Sequence, residues 1–303
     1  MSYDPDALLD RRRLKRRLRI WQGVTLFVVL AGVLTLLQSH GELFRGDRIA
    51  RLHIEGIIVR DDARSQALAE LARDDSIRAV IVHIDSPGGS VVGGEDLYNS
   101  LRDIAAQKPV AAVMGTVATS AAYMSGIAAD RVWAREGTVT GSIGVILQSA
   151  NVTELLNRIG VEPVTIKSSE LKGTPSPLEP LTEAAREATQ NVVRDLYGFF
   201  VDIVVARRPL EADKVRQLAD GRVFSGRQAV ANGLIDEIGV EKDAVLWLTS
   251  EHDIPAGLPI QTVSERDDDK SLLERLVRLS GKSLFSNALT LDGLVSLWQP
   301  AAR

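Results

Sequence analysis

Four stretches of the chain carry side chains that could do chemistry. The first, "GTVATSAAYMSG" from Gly115 to Gly126, sets the hydroxyls of Thr116, Thr119, Ser120 and Ser125 among small residues. It continues the apolar run "PVAAVMG", so Ser120 falls where a strand gives way to a helix. A hydroxyl at such a junction can stand at the sheet edge as a nucleophile, although G-x-S-x-G is not matched. A helix N-cap by Thr119 or Ser120 accounts for the same residues without chemistry. The second stretch, "VIVHIDSPGGSVVGGEDLYNSL" over 80–101, reads as a buried strand ending at Asp85, then a tight turn through Ser86, Pro87, Gly88 and Gly89 into a helix. The Gly-Gly pair exposes backbone N–H groups that could receive an anion or oxyanion, or it is an ordinary glycine turn. It is not a Walker loop, because the GK[ST] ending is missing. The third, "EGTVTGSIGVI" over 136–146, places Thr138, Thr140 and Ser142 in an apolar, glycine-broken strand. Buried hydroxyls need partners, so they pair across strands or one of them orients another polar group. The fourth, "TIKSSELKGTPSPLEPLT" over 165–182, holds Lys167 and Lys172 in a Ser/Pro/Gly-rich loop after the short strand "PVTI". Solvation is the ordinary state of such lysines.

A serine nucleophile needs a base. The histidines are His40, His53, His83 and His252, and only His252 follows Ser120, in the hydrophilic stretch "TSEHDIPAG". A lysine can serve once burial lowers its pKa; moving it from about 10.4 to near 7 costs roughly 4–5 kcal/mol of differential solvation. No two histidines lie within five residues of each other and cysteine is absent, so no metal site, thiolate chemistry, disulfide or cofactor is expected. A net charge of −4 implies no nucleic-acid partner.

These residues must be positioned by a larger frame. Residues 1–19 form a basic segment with seven Arg/Lys between positions 11 and 19, and residues 20–41 contain no charged side chain. Twenty-two helical residues reach roughly 33 Å, so a retained transmembrane helix is expected, with the N-terminus cytoplasmic and the body extracytoplasmic at a bacterial inner membrane. A cleavable signal peptide is the rival, but "LTLLQSHGELF" offers no A-x-A-like site. From residue 48 to 250 strands and helices alternate: "RIARLHIEGIIV", "IRAVIVHID", "PVAAVMG" and "DRVWARE" read as β, while "ARSQALAELARD", "GEDLYNSLRDIAAQ" and residues 182–208 read as helix. This order implies an α/β fold with a largely parallel sheet. Residues 251–303 hold a charged linker, "ERDDDK", and an apolar, partly helical tail expected to pack on the body, a neighbour or the membrane.

The motifs "DSPGG", "ATSAAYM", "TGSIGV", "SSELKGTPSP" and "DGRVFSGRQAVANGLIDEIG", in this order and spacing, resemble those of the signal peptide peptidase A family, in its short single-anchor form. The resemblance implies a crotonase/Clp-protease-like fold of repeated ββα units and a Ser–Lys serine endopeptidase. It implies cleavage of remnant signal peptides and other apolar peptide segments. Ser120 matches the nucleophile, Lys172 the general base and Ser142 the hydroxyl that holds the lysine. Gly88 or Gly89, with the N–H of Ala121, matches the oxyanion hole. A homo-oligomeric ring, an octamer, is implied, with serine and lysine meeting across protomers. Ala121 and Ala122 stand where the family often has Gly-Gly, and Ser169 where it often has Gly. The other readings are a crotonase-class acyl-CoA enzyme, which would want paired acids in the pocket, and an inactive ring-forming scaffold, which would have lost Ser120 or Lys172. A Clp-like Ser-His-Asp site lacks a well-placed histidine.

Overall fold

The computed structural model describes residues 17–29, 46–263 and 295–297. The chain divides into two units, 1–46 and 47–303. In the first, helix α1 covers residues 17–29, and its apolar side chains, among them Trp21 and Phe27, are exposed. No helix among the described residues is long and apolar enough to cross a membrane. The expected span over 20–41 includes residues 30–41, which lie outside the described residues.

The second unit opens with β1 (Arg48–Ile58), α2 (Asp62–Arg73), β2 (Ile77–Ser90), α3 (Val91–Ala105), β3 (Val110–Thr119) and α4 (Ala121–Gly126). β1, β2 and β3 are parallel neighbours. Their side chains alternate between two apolar layers, as a sheet covered on both faces requires. Ala50, Leu52, Ile54, Val80, Val82, Ile84, Ala112 and Met114 face the larger core, with Leu97 and Leu101 of α3. Ile49, Ala79, Ile81, Ala111 and Val113 face the other layer.

β3 divides its pairing. Ala111–Met114 pair with β4 (Arg131–Ala134), and Val117–Thr119 pair with β5 (Val139–Gly141). An arm of chain follows, whose one helix is α5 (Thr153–Arg158). From residue 144 to residue 184 no side chain is buried. The chain returns through α6 (Glu183–Arg207), α7 (Ala212–Leu218), β6 (Val223–Ser225), α8 (Gly226–Ala231), β7 (Glu237–Ile238) and α9 (Glu241–Glu251). α9 covers the second layer with Ala244, Trp247 and Leu248. β6 pairs antiparallel with β5, whereas β7 pairs parallel with β4 and β8 (Ile260–Thr262) parallel with β1.

Two expectations are corrected. β2 does not stop at Asp85; it runs through the Gly-Gly pair to Ser90, because register shifts on both flanks let the strand carry the turn residues onward. α3 accordingly starts at Val91, with the Ser90 hydroxyl capping the N–H of Gly93. "PVTI" forms no strand, because nothing in the exposed arm offers it a ladder partner. Of the expected tail, Val295–Leu297 form β9, antiparallel to Gly88–Ser90 of β2; its remaining residues from 271 to 298 lie outside the described ones.

Candidate active site

Ser120 sits at the junction of β3 and α4 with φ 58° and ψ −122° and is 1% exposed. A non-glycine residue held there costs about 1–3 kcal/mol, which the surroundings must offset. They do so through the backbone: the Ser120 N–H donates to Gly141 O at 2.8 Å, and Ser120 O accepts from the Met124 N–H at 2.9 Å. The Ser120 side chain makes no N-cap hydrogen bond, so capping does not account for it. Thr119 is no cap either; its hydroxyl donates to Pro87 O at 3.0 Å.

Ser142 is the second strained serine, at φ 51°, directly after Gly141 at φ 84°. Its N–H donates to Arg222 O at 2.8 Å, so Ser120, Gly141, Ser142 and Arg222 form one backbone-linked row. The two threonines of the same stretch are engaged elsewhere. Thr138 Oγ1 donates to Gly115 O at 2.7 Å, and Thr140 Oγ1 to Ala118 O at 2.7 Å. Ser142, 9% exposed, is the hydroxyl of the three without a structural partner of that kind among the described residues.

The small residues after Ser120 have a packing reason. Ala121 and Ala122 are fully buried, and a Cβ placed on Gly94 of α3 would stand 2.8 Å from the Ala121 Cβ. The close approach they permit is therefore between helices α3 and α4.

The Gly-Gly segment lies beside this junction. Ser86 of β2 is opposite Ala118 of β3, after which β3 ends at Thr119. The other edge of β2 is taken by β1, where Ile57 and Ile58 face Gly88 and Gly89. β9 therefore lies on the edge that β3 relinquishes, next to the β3–α4 junction. The part that Asp85 plays in shaping this gap escaped the sequence reading. Asp85 accepts the N–H groups of Thr116 at 3.3 Å and Val117 at 3.1 Å where β2 and β3 lose register. Its signal was a carboxylate closing an apolar strand.

The two lysines differ. Lys172 is exposed, its N–H bonded to Ser169 O at 3.1 Å, and its amine has no hydrogen-bond or ion-pair partner among the described residues. The structure does not bring it to Ser120 or Ser142 within the chain. Lys167 is not solvated as expected: it is paired with Glu179. The described histidines are engaged away from Ser120. His53 stacks on His83 at 5.2 Å, His83 Nε2 lies 2.5 Å from Glu241 Oε2, and His252 packs against Trp247. Burial alone would raise the Glu241 carboxyl, but hydrogen bonds from Arg51 and His83 outweigh it and hold the group below the usual carboxylate range.

Comparison with known proteins finds a peptidase family. Residues 102–254 match the pattern of peptidase family S49, and residues 51–151 that of Clp protease. A Synechocystis sp. protein with a provisional protease name is 34% identical over 231 residues, covering 76% of this chain and 82% of that one. An Enterococcus faecium protein with a provisional signal peptide peptidase name is 34% identical over 185 residues, 61% of this chain and 54% of its own. Among solved structures, a ClpP1 mutant from Listeria monocytogenes is similar with a TM-score of 0.43 at 17% identity, over 64% of this chain and 92% of that one. With half of its length matched by one peptidase family and a relative matched across most of both chains, the chain belongs to peptidase family S49, that of signal peptide peptidase A.

Proposed function

We propose that the chain is a serine endopeptidase whose nucleophile is Ser120 and whose base is Lys172. The observation that carries the reading is the strained, buried Ser120 beside a strand edge that accepts an extended antiparallel segment. A peptide laid along Gly88–Ser90 as β9 is would run its carbonyls past the β3–α4 junction. Ser120 Oγ attacks one of them and its proton passes to the neutral Lys172 amine. Backbone N–H groups of the Gly88–Gly89 segment and of Ala121 receive the negative oxygen. The ammonium then returns the proton to the leaving amine, and water releases the acyl group by the same route. Ser142 holds the lysine amine in line.

Lys172 comes from a neighbouring protomer in this reading. It rides on an arm with no buried side chain, on which Val164 is 85% and Ile166 95% exposed. Burying an aliphatic side chain of this size gains about 1.5–3 kcal/mol, so the arm is stabilised by a partner surface. The assembly is a homo-oligomeric ring, an octamer, anchored in the bilayer through residues 20–41 with its body extracytoplasmic. Its substrates are apolar segments such as spent signal peptides.

The test is a fluorophosphonate reaction followed by mapping of the adduct. Ser120 should carry it, and Ser120→Ala should abolish peptide turnover while changing stability by only about 1 kcal/mol, the scale of one hydroxyl's hydrogen bond. Residual turnover in a clean Ser120→Ala preparation would end the assignment.

A further inference from the structure

The turn beside Ser120 contains two fully buried hydroxyls, Ser86 and Thr119, that the reaction itself does not use. Thr119 Oγ1 donates to Pro87 O at 3.0 Å. The Pro87 carbonyl therefore points towards the β3 side of β2. A trans peptide sets its N–H opposite its C=O, so the Gly88 N–H points the other way. It does: it donates to Ser86 Oγ at 3.1 Å, and Ser86 Oγ in turn donates to Gly56 O of β1 at 2.6 Å. Gly88 O also lies on that side, 3.5 Å from Ser86 Oγ. The next peptide plane is thus turned with its C=O towards β1 and the N–H of Gly89 towards the edge where β3 ends and Ser120 stands. Gly89 has no room for a side chain, since a Cβ there would lie 1.7 Å from Ile58 O.

We propose that Thr119 and Ser86 are positioning residues that lock the Pro87–Gly88 peptide from its two sides, so that Gly89 rather than Gly88 presents its N–H to the oxyanion formed at Ser120. Thr119 does this from the residue directly before the nucleophile, so donor and nucleophile are held in one frame. The inference rests on the serine-peptidase reading and narrows it to one glycine and two supporting hydroxyls.

Thr119→Val keeps the shape and removes the bond to Pro87; Thr119→Ser keeps the bond. Removal of one oxyanion donor costs about 100- to 1000-fold in kcat, and a misaimed donor costs part of that. Thr119→Val should lower kcat at least about tenfold with little change in KM. Affinity for a peptide aldehyde, whose adduct places its oxygen where the oxyanion forms, should fall in proportion. Affinity for the cleaved product peptide should hold, and Thr119→Ser should restore all three. Ser86→Ala should show the same split. Unimpaired kcat in Thr119→Val would overturn the proposal. So would a loss of aldehyde and product binding in equal measure, which marks general damage. A wild-type protein that takes no fluorophosphonate on Ser120 would instead remove the underlying serine-peptidase reading, a result separate from either.

Discussion

Ser120 and Ser142 have positive φ, where a side chain is tolerated at a cost, and both are held there by backbone hydrogen bonds, to Gly141 O and Arg222 O. The two lysines are separated by their surroundings. Lys167 is committed to Glu179, whereas Lys172 is exposed and is the base in the proposed mechanism. Lys172→Arg should therefore lower turnover at least about 100-fold, since a guanidinium cannot accept the proton and general-base help of that size is lost. Lys167→Ala should leave turnover largely intact, and Ser142→Ala should reduce it without removing it. Steady-state kinetics on the three variants checks this; loss of turnover in Lys167→Ala with activity kept in Lys172→Ala would exchange the roles.

Among the elements, α9 is tied to the sheet at both ends, where Glu251 meets Arg131 of β4 and Glu241 meets β1 and β2. Glu241, its first residue, accepts from Arg51 of β1 at 2.7 and 2.5 Å and meets His83 of β2. Because the folded carboxyl titrates below its ordinary value, its contribution is present above about pH 4.3 and is lost as the pH falls through the lower folded value. Glu241→Gln should cost about 2 kcal/mol at neutral pH and flatten that acid limb in denaturant titrations. An acid limb identical to the parent's would show that the tie contributes nothing. The elements were legible where periodicity was strong: the alternation in 48–58 and 77–85 and the long helical run ending near Arg207 read directly from the sequence. The site was legible only in part. Ser120 stood out by its small neighbours, of which Ala121 packs closely on Gly94 of α3. The continuation of β2 through Ser86–Ser90 was not legible, because glycine and proline usually end strands and the register shifts that rescue this one depend on two neighbouring strands. The pairing of Thr119 with Pro87 spans 32 residues and leaves no local pattern.

At the scale of the whole molecule, one feature remains unbalanced. The body has two well-packed layers, while the arm from 144 to 184 keeps its apolar side chains and Lys172 in the open. The proposed ring would resolve this by repeating one heterologous interface, so that each arm would cover a neighbour and each site would use two chains. The direct measurement is complementation. Ser120→Ala and Lys172→Ala proteins, each inactive alone, are co-expressed and shown to share rings, and peptide turnover is measured. With random one-to-one mixing roughly a quarter of the interfaces join an intact serine to an intact lysine, so activity should return to about that fraction of the parent's. A mixed ring that stays fully inactive would contradict a site built between chains.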